Sequence, residues 1–189
     1  MTDDRELPVS IEKSELPQGM VRDLSLALSL VLNVYGGTGT HRYKVNSRHL
    51  EYNVDTDRKY EFSHLLYEIS QTEVGKAAIA DMRAGDQEFK EKLEESLKFG
   101  EDKILYEKSV SGNNDLAVTC IAHALKDISE IKDKLIITQG HFDAIVSVLG
   151  KTENGQAGIK EAKEYLGVKI DLPGENISGA KSLGWPRGR

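Results

Sequence analysis

A chain of 189 residues, 39% hydrophobic and 30% charged, is long enough to bury one core without metal or disulfide staples. Its formal net charge of −6, with a pI near 5.4, argues against nucleic acid as the main partner, because phosphate binding needs clustered Lys and Arg. Cys120 is the only cysteine, which excludes an intramolecular disulfide, and no run reaches the ~20 apolar residues of a membrane span.

Residues 1–19 are polar and acidic, carry Pro8, Pro17 and Gly19, and show no sustained period, so they read as an arm. The acidic start and the missing apolar h-region argue against a signal peptide. The expectation is a soluble, cytoplasmic protein, with signal-independent export left open.

The strongest local pattern follows. From Leu24 to Val34 every even position is Leu or Val, while the odd ones are small or polar apart from Val31. Wound as a helix, these leucines would leave no polar face, so period 2 predicts a strand. Gly36-Gly37-Thr38-Gly39 reads as a hairpin turn. Tyr43 and Val45 alternate after it, then Leu50, Tyr52 and Val54, with a second turn at Asn46-Ser47-Arg48. The prediction is a three-stranded antiparallel meander over about residues 22–55.

Spacings of three and four then take over, from Phe62 to Ile79, predicting helices over about 61–70 and 72–84 with Thr72 as N-cap and Gly85 as the stop. Asp86 to Phe99 reads as an exposed helix with a thin Phe89, Leu93, Leu97 stripe, ended by Gly100. Ile104-Leu105-Tyr106 suggests a strand over 103–110. Asn114 or Asp115 caps a helix to about Ser129. Leu135-Ile136-Ile137 is a strand or the end of that helix, which period does not separate. His141–Leu149 and Ile159–Leu166 read as helices, and Gly, Pro and Ser dominate from Asp171 onward. No internal repeat is evident. The predicted architecture is one α+β domain, residues 20–170, with the 1–19 arm and a Gly/Pro-rich tail at 171–189.

No motif names a reaction. The glycine loop lacks G-x-G-x-x-G spacing and a Gly-Lys-Ser/Thr, and the segment after it alternates like a strand, so it reads as a turn and not a phosphate cradle. Cys120, His123 and Asp127 stand at i, i+3 and i+7 on one helix, where an apolar arc meets solvent. Ile121-Ala122-His123-Ala124-Leu125-Lys126-Asp127 resembles the zinc helix of zincin metallopeptidases, H-E-x-x-H, over under a tenth of the chain. Leu65-Leu66, Ile69, Thr72 and Gly75 resemble segments that precede that helix in some effector peptidases. The resemblance implies a metal-dependent hydrolase of effector or toxin type, with zinc held by His123, Asp127 and His141. Ala124 stands where the family has its general-base Glu, and Asp127 where it has its second His, so nothing on the helix activates a metal-bound water. Cys120, with His141 as base, reads as a buried small hydrophobe before it reads as a nucleophile.

Two surfaces remain. His41, His49, Arg42, Arg48, Tyr43, Lys44 and Tyr52 mark a basic, aromatic sheet face. Trp185, flanked by Lys181, Arg187 and Arg189, lies in a tail too rich in Gly and Pro to bury it locally, and Trp and Arg anchor many interfaces. Every catalytic constellation lacks a member. The expected function is therefore a non-catalytic interaction or assembly protein, needing no cofactor, that contacts a protein partner or itself through Tyr43, Tyr52, Trp185, Arg187 and Arg189.

Overall fold

A computed structural model describes residues 18–113 and 115–171. The predicted arm up to residue 17 and the tail from 172 lie outside the described residues. The chain is α+β, with seven helices and a two-stranded antiparallel sheet among those residues. In order these are α1 (Gln18–Tyr35), β1 (Gly39–Val45), β2 (Arg48–Val54), α2 (Thr56–Ile69), α3 (Glu73–Met82), α4 (Gln87–Ser111), α5 (Asp115–Asp133), α6 (Gln139–Leu149) and α7 (Glu153–Tyr165). Among the described residues no helix is long and apolar enough to cross a membrane.

The predicted first strand is a helix, so the three-stranded meander reduces to a hairpin. Along α1 the buried side chains are Val21, Leu24, Ala27, Leu28, Val31, Leu32, Val34 and Tyr35, which is helical spacing. Leu26, one of the alternating leucines, is 53% exposed. The absence of a polar face, taken as evidence against a helix, reflects where α1 sits: it packs against both α3 and α6, so most of its circumference is covered. Leucine is also among the better helix formers, and here propensity and burial agree.

The hairpin itself follows the sequence. Asn46 and Ser47, with φ of 50° and 66°, make the two-residue turn whose backbone twist matches that of paired strands. Tyr43 pairs with Leu50, and His41 with Tyr52. Thr72 caps α3 as expected, its Oγ1 accepting from Gly75 N–H at 2.9 Å.

Three further expectations are corrected. Gly100 does not end a helix. It lies buried inside α4, where a Cβ would come within 2.3 Å of the Ser63 carbonyl oxygen, so its bare backbone lets α4 lie close against α2. The strand expected at 103–110 is the C-terminal part of α4, which stops at Gly112 in the left-handed region (φ 76°). Leu135–Ile137 is neither strand nor helix end. Leu135 has φ 66°, and the Ile136 amide donates back to the Ile131 carbonyl, turning the chain toward α6.

The chain also contains a repeat that period alone did not reveal. Residues 62–82 and 142–162 align without a gap, sharing Phe62 with Phe142, Thr72 with Thr152, Glu73 with Glu153, Gly75 with Gly155, Ala77 with Ala157 and Ile79 with Ile159. Thr152 caps α7 through Gly155 N–H at 2.8 Å, as Thr72 caps α3. The preceding helices carry the same buried pattern, Leu24, Ala27, Leu28, Val31, Val34 in α1 and Ile121, Ala124, Leu125, Ile128, Ile131 in α5. Packing follows the same exchange: α1 lies on α3 of its own unit and α6 of the other, and α5 lies on α7 of its own unit and α2 of the other. The protein is thus two interlocked three-helix units. The hairpin is inserted after the first helix of the first unit, and α4 joins the two.

Candidate functional site

A polar cluster forms where the inserted hairpin meets α2 and α5. The end of α1 contributes Tyr35, β2 contributes Tyr52, the first turns of α2 contribute Arg58 and Glu61, and α5 contributes Cys120, His123, Asp127 and Glu130. Tyr35, fully buried, donates to the Asp127 carbonyl at 2.8 Å and meets the Tyr52 hydroxyl at 2.7 Å. The Tyr52 hydroxyl reaches Glu130 Oε1 at 3.1 Å. Two phenolic protons are shared among these three contacts. Burial raises both phenols well above their ordinary range, so both remain neutral donors. Arg58 stacks over the Tyr52 ring at 5.0 Å and lies 3.9 Å from Asp127 and 3.7 Å from Glu130.

Beside this network Glu61 and Asp127 face each other closely enough for their carboxyls to titrate together. Burial raises both carboxyls, Glu61 to about 7 and Asp127 to about 6, and the neighbouring carboxylates push further while Arg58 and His123 pull Asp127 back. Two carboxyls coupled in this way keep a proton between them below about pH 7 and release it as the pH rises through neutrality. Such a pair can donate or accept a proton, the elementary requirement of general acid–base work. An open depression of about 280 Å³, lined by Tyr52, Asp55, Arg58, Glu130 and Lys134 among others, borders the cluster, but neither Glu61 nor Asp127 lines it.

Removing the Tyr35 hydroxyl (Tyr35→Phe) is expected to lower stability by about 1 kcal/mol, since it deletes one donor and leaves the buried Tyr52 hydroxyl with one partner fewer. Urea unfolding checks this. An unchanged midpoint would mean that the network contributes nothing to the fold.

The residues expected to act together do not all meet. His123 and Asp127 share one face of α5, but His141 sits at the start of α6, where its Nδ1 accepts from the Thr138 N–H at 3.1 Å in a capping box. Among the described residues no group of three or more His, Cys, Asp or Glu is placed to hold a metal ion, so the zinc set drawn from the zincin resemblance is not assembled. Cys120 is buried, and desolvation with the nearby Glu61 pushes its thiol up to about 12, the opposite of an activated nucleophile.

Of the expected partner-binding residues, Tyr43 is half-buried, opposite Leu50 and stacked on His41 with ring centres 6.5 Å apart. Tyr52 points inward into the cluster and is only 4% exposed, which withdraws it from any contact face. Trp185, Arg187 and Arg189 lie outside the described residues.

Sequence reasoning missed Arg58, Glu61 and Glu130. Glu130 stands three residues after Asp127, on the same face of α5, and was legible. Arg58 and Glu61 join the site only because α2 crosses α5, which no local pattern reports. A second unrecognised feature is the end of α4. After Gly100 no residue of that helix is buried, and Leu105, Tyr106 and Val110 are 56%, 65% and 65% exposed. Comparison with protein-family models, curated proteins and solved structures finds no match.

Proposed function

We propose that the chain is a protein-interaction or assembly element, and that the C-terminal half of α4 makes the contact with a second copy of the chain. One observation supports this reading. Eleven residues of helix, about 16 Å long, extend past the last buried position of α4 and present Leu105, Tyr106 and Val110 within a turn and a half. Single exposed apolar side chains are ordinary, but three grouped on a helix end that buries no residue are not. An overhang laid against the same overhang of another copy makes a closed, two-fold contact in which each strip covers the other. The charge-bearing positions alongside, Glu101, Asp102, Lys103, Glu107 and Lys108, carry both signs, as a rim that pairs with itself requires.

Light scattering at roughly 100 µM, a concentration suited to a small interface, tests this. The wild-type chain is expected to weigh more than a monomer, and the double variant Tyr106→Lys with Val110→Lys to weigh one monomer with unchanged helix content. A monomeric wild type at that concentration would rule out the self-contact.

A further inference from the structure

A groove that shares no residue with the α4 contact has a matching segment in the chain itself. It runs between the first turns of α1 and α6, has a volume of about 490 Å³, and has a mainly apolar floor of Met20, Ala144 and Val146. Its charged lining is all of one sign, Asp23, Asp143 and Asp171. Asp143 uses one carboxylate oxygen to accept from Gln139 Nε2 at 2.8 Å, which leaves the other available.

Both terminal segments start beside this groove, since Gly19 and Asp171 line it and the described chain runs from 18 to 171. Charge separates them. Residues 1–17 carry Asp3, Asp4, Glu6, Glu12 and Glu15 against Arg5 and Lys13, so three aspartates repel them. Residues 172–189 carry Lys181, Arg187 and Arg189 against Glu175 alone, and also hold Trp185, the only tryptophan. We propose that this C-terminal tail folds back and seats Trp185 on the Met20, Ala144, Val146 floor, with Arg187 and Arg189 pairing with Asp23 and Asp143.

The chemistry fits on each count. An indole combines a large apolar face with one N–H donor, and the groove offers an apolar floor rimmed by carboxylate acceptors. Arginine forks match carboxylates two bonds at a time. The thirteen residues between Asp171 and Trp185 reach up to ~45 Å when extended, far more than the groove requires, and so short a tether holds the tail at roughly millimolar effective concentration.

Because Trp185 is the only tryptophan, intrinsic fluorescence of the full chain reports on it alone. The expected result is a blue-shifted emission relative to the urea-unfolded chain. Acrylamide quenching should be weaker by roughly threefold or more, since clefts cover about 70–90% of an occupant's surface. Asp23→Lys with Asp143→Lys, both exposed positions, should restore the unfolded-like emission and quenching while circular dichroism stays unchanged. A tryptophan fully open to quencher in the wild-type chain overturns the proposal. So does a protected tryptophan indifferent to the two lysines, because the tail then rests elsewhere. Protection lost on dilution into the monomeric range also overturns it, since the occupant is then the tail of a second copy.

Discussion

Gly75→Ala and Gly155→Ala are each expected to cost about 2 kcal/mol of folding stability, although alanine is the better helix former. A Cβ at Gly75 would lie 1.8 Å from the Ile69 carbonyl oxygen, and one at Gly155 would lie 1.9 Å from that of Leu149. Neither contact is with a side chain that can swing aside. Both oxygens belong to the backbone at the end of the preceding helix, so the turn must open, and with it the Thr72 and Thr152 caps. Overpacking a fitted core costs ~1–3 kcal/mol, and a backbone obstacle places these sites at the upper end. The helix propensity regained, ~1 kcal/mol, offsets only part. The two sites occupy equivalent places in the two units, so their losses should be similar. Gly37→Ala, where nothing lies within 4 Å, serves as control and should stay within ~0.5 kcal/mol. Urea midpoints measure all three. A neutral Gly155→Ala beside a damaging Gly75→Ala would break the equivalence of the two turns.

Stability is also expected to fall by about 2 kcal/mol between pH 5 and pH 8 because of Glu61 and Asp127, and Glu61→Gln should remove most of that slope. In the folded chain both carboxyls are raised, to about 7 and about 6, from ordinary values of 4.5 and 3.8. Between those limits the folded state binds more protons than the unfolded one, so raising the pH favours unfolding. The contribution is fully present below about pH 4 and is lost as pH rises through 6 to 7. Face-value shifts would give more. Glu61 is only partly buried, however, and solvent screening reduces its share, while the pair titrates jointly. The charges facing the pair are Arg58, Asp55 and Asp57 from α2 and its cap, and His123 and Glu130 from α5. His64 works in the opposite sense. Burial lowers its ring below the usual histidine range, so its contribution is lost as pH falls. Comparing wild type with Glu61→Gln at each pH isolates the carboxyl pair from His64. Parallel profiles for the two proteins would show that the pair shares no proton.

How legible the molecule was in its sequence depended on the range of the forces involved. Thr72 as a cap, a turn at Asn46 and Ser47 and the helices flanking Thr72 follow from backbone chemistry within a few residues, while α3 ends at Met82, ahead of the stop expected at Gly85, and Arg48 opens β2 instead of closing the turn. The α+β class and the acidic balance were equally local. Leu24–Val34 was misread because an alternating leucine run satisfies either period once most sides are covered, and the cover comes from α3 and α6, far along the chain. Gly100 looked like a helix end, because its true role, letting α4 approach Ser63, depends on a contact between helices. The repeat was written in the sequence at Thr72 and Thr152, but the inserted hairpin masked its first helices.

The candidate site divides in the same way. Cys120, His123 and Asp127 were visible because one helix spaces them. Glu61, Arg58 and Tyr35 come to Asp127 from other elements, and burial there sets their protonation. Short-range backbone chemistry thus determined turns, caps and most helices from sequence alone. Only tertiary packing decided which residues lost water and which kept it, and with that came the raised carboxyls, the inert thiol and the exposed end of α4.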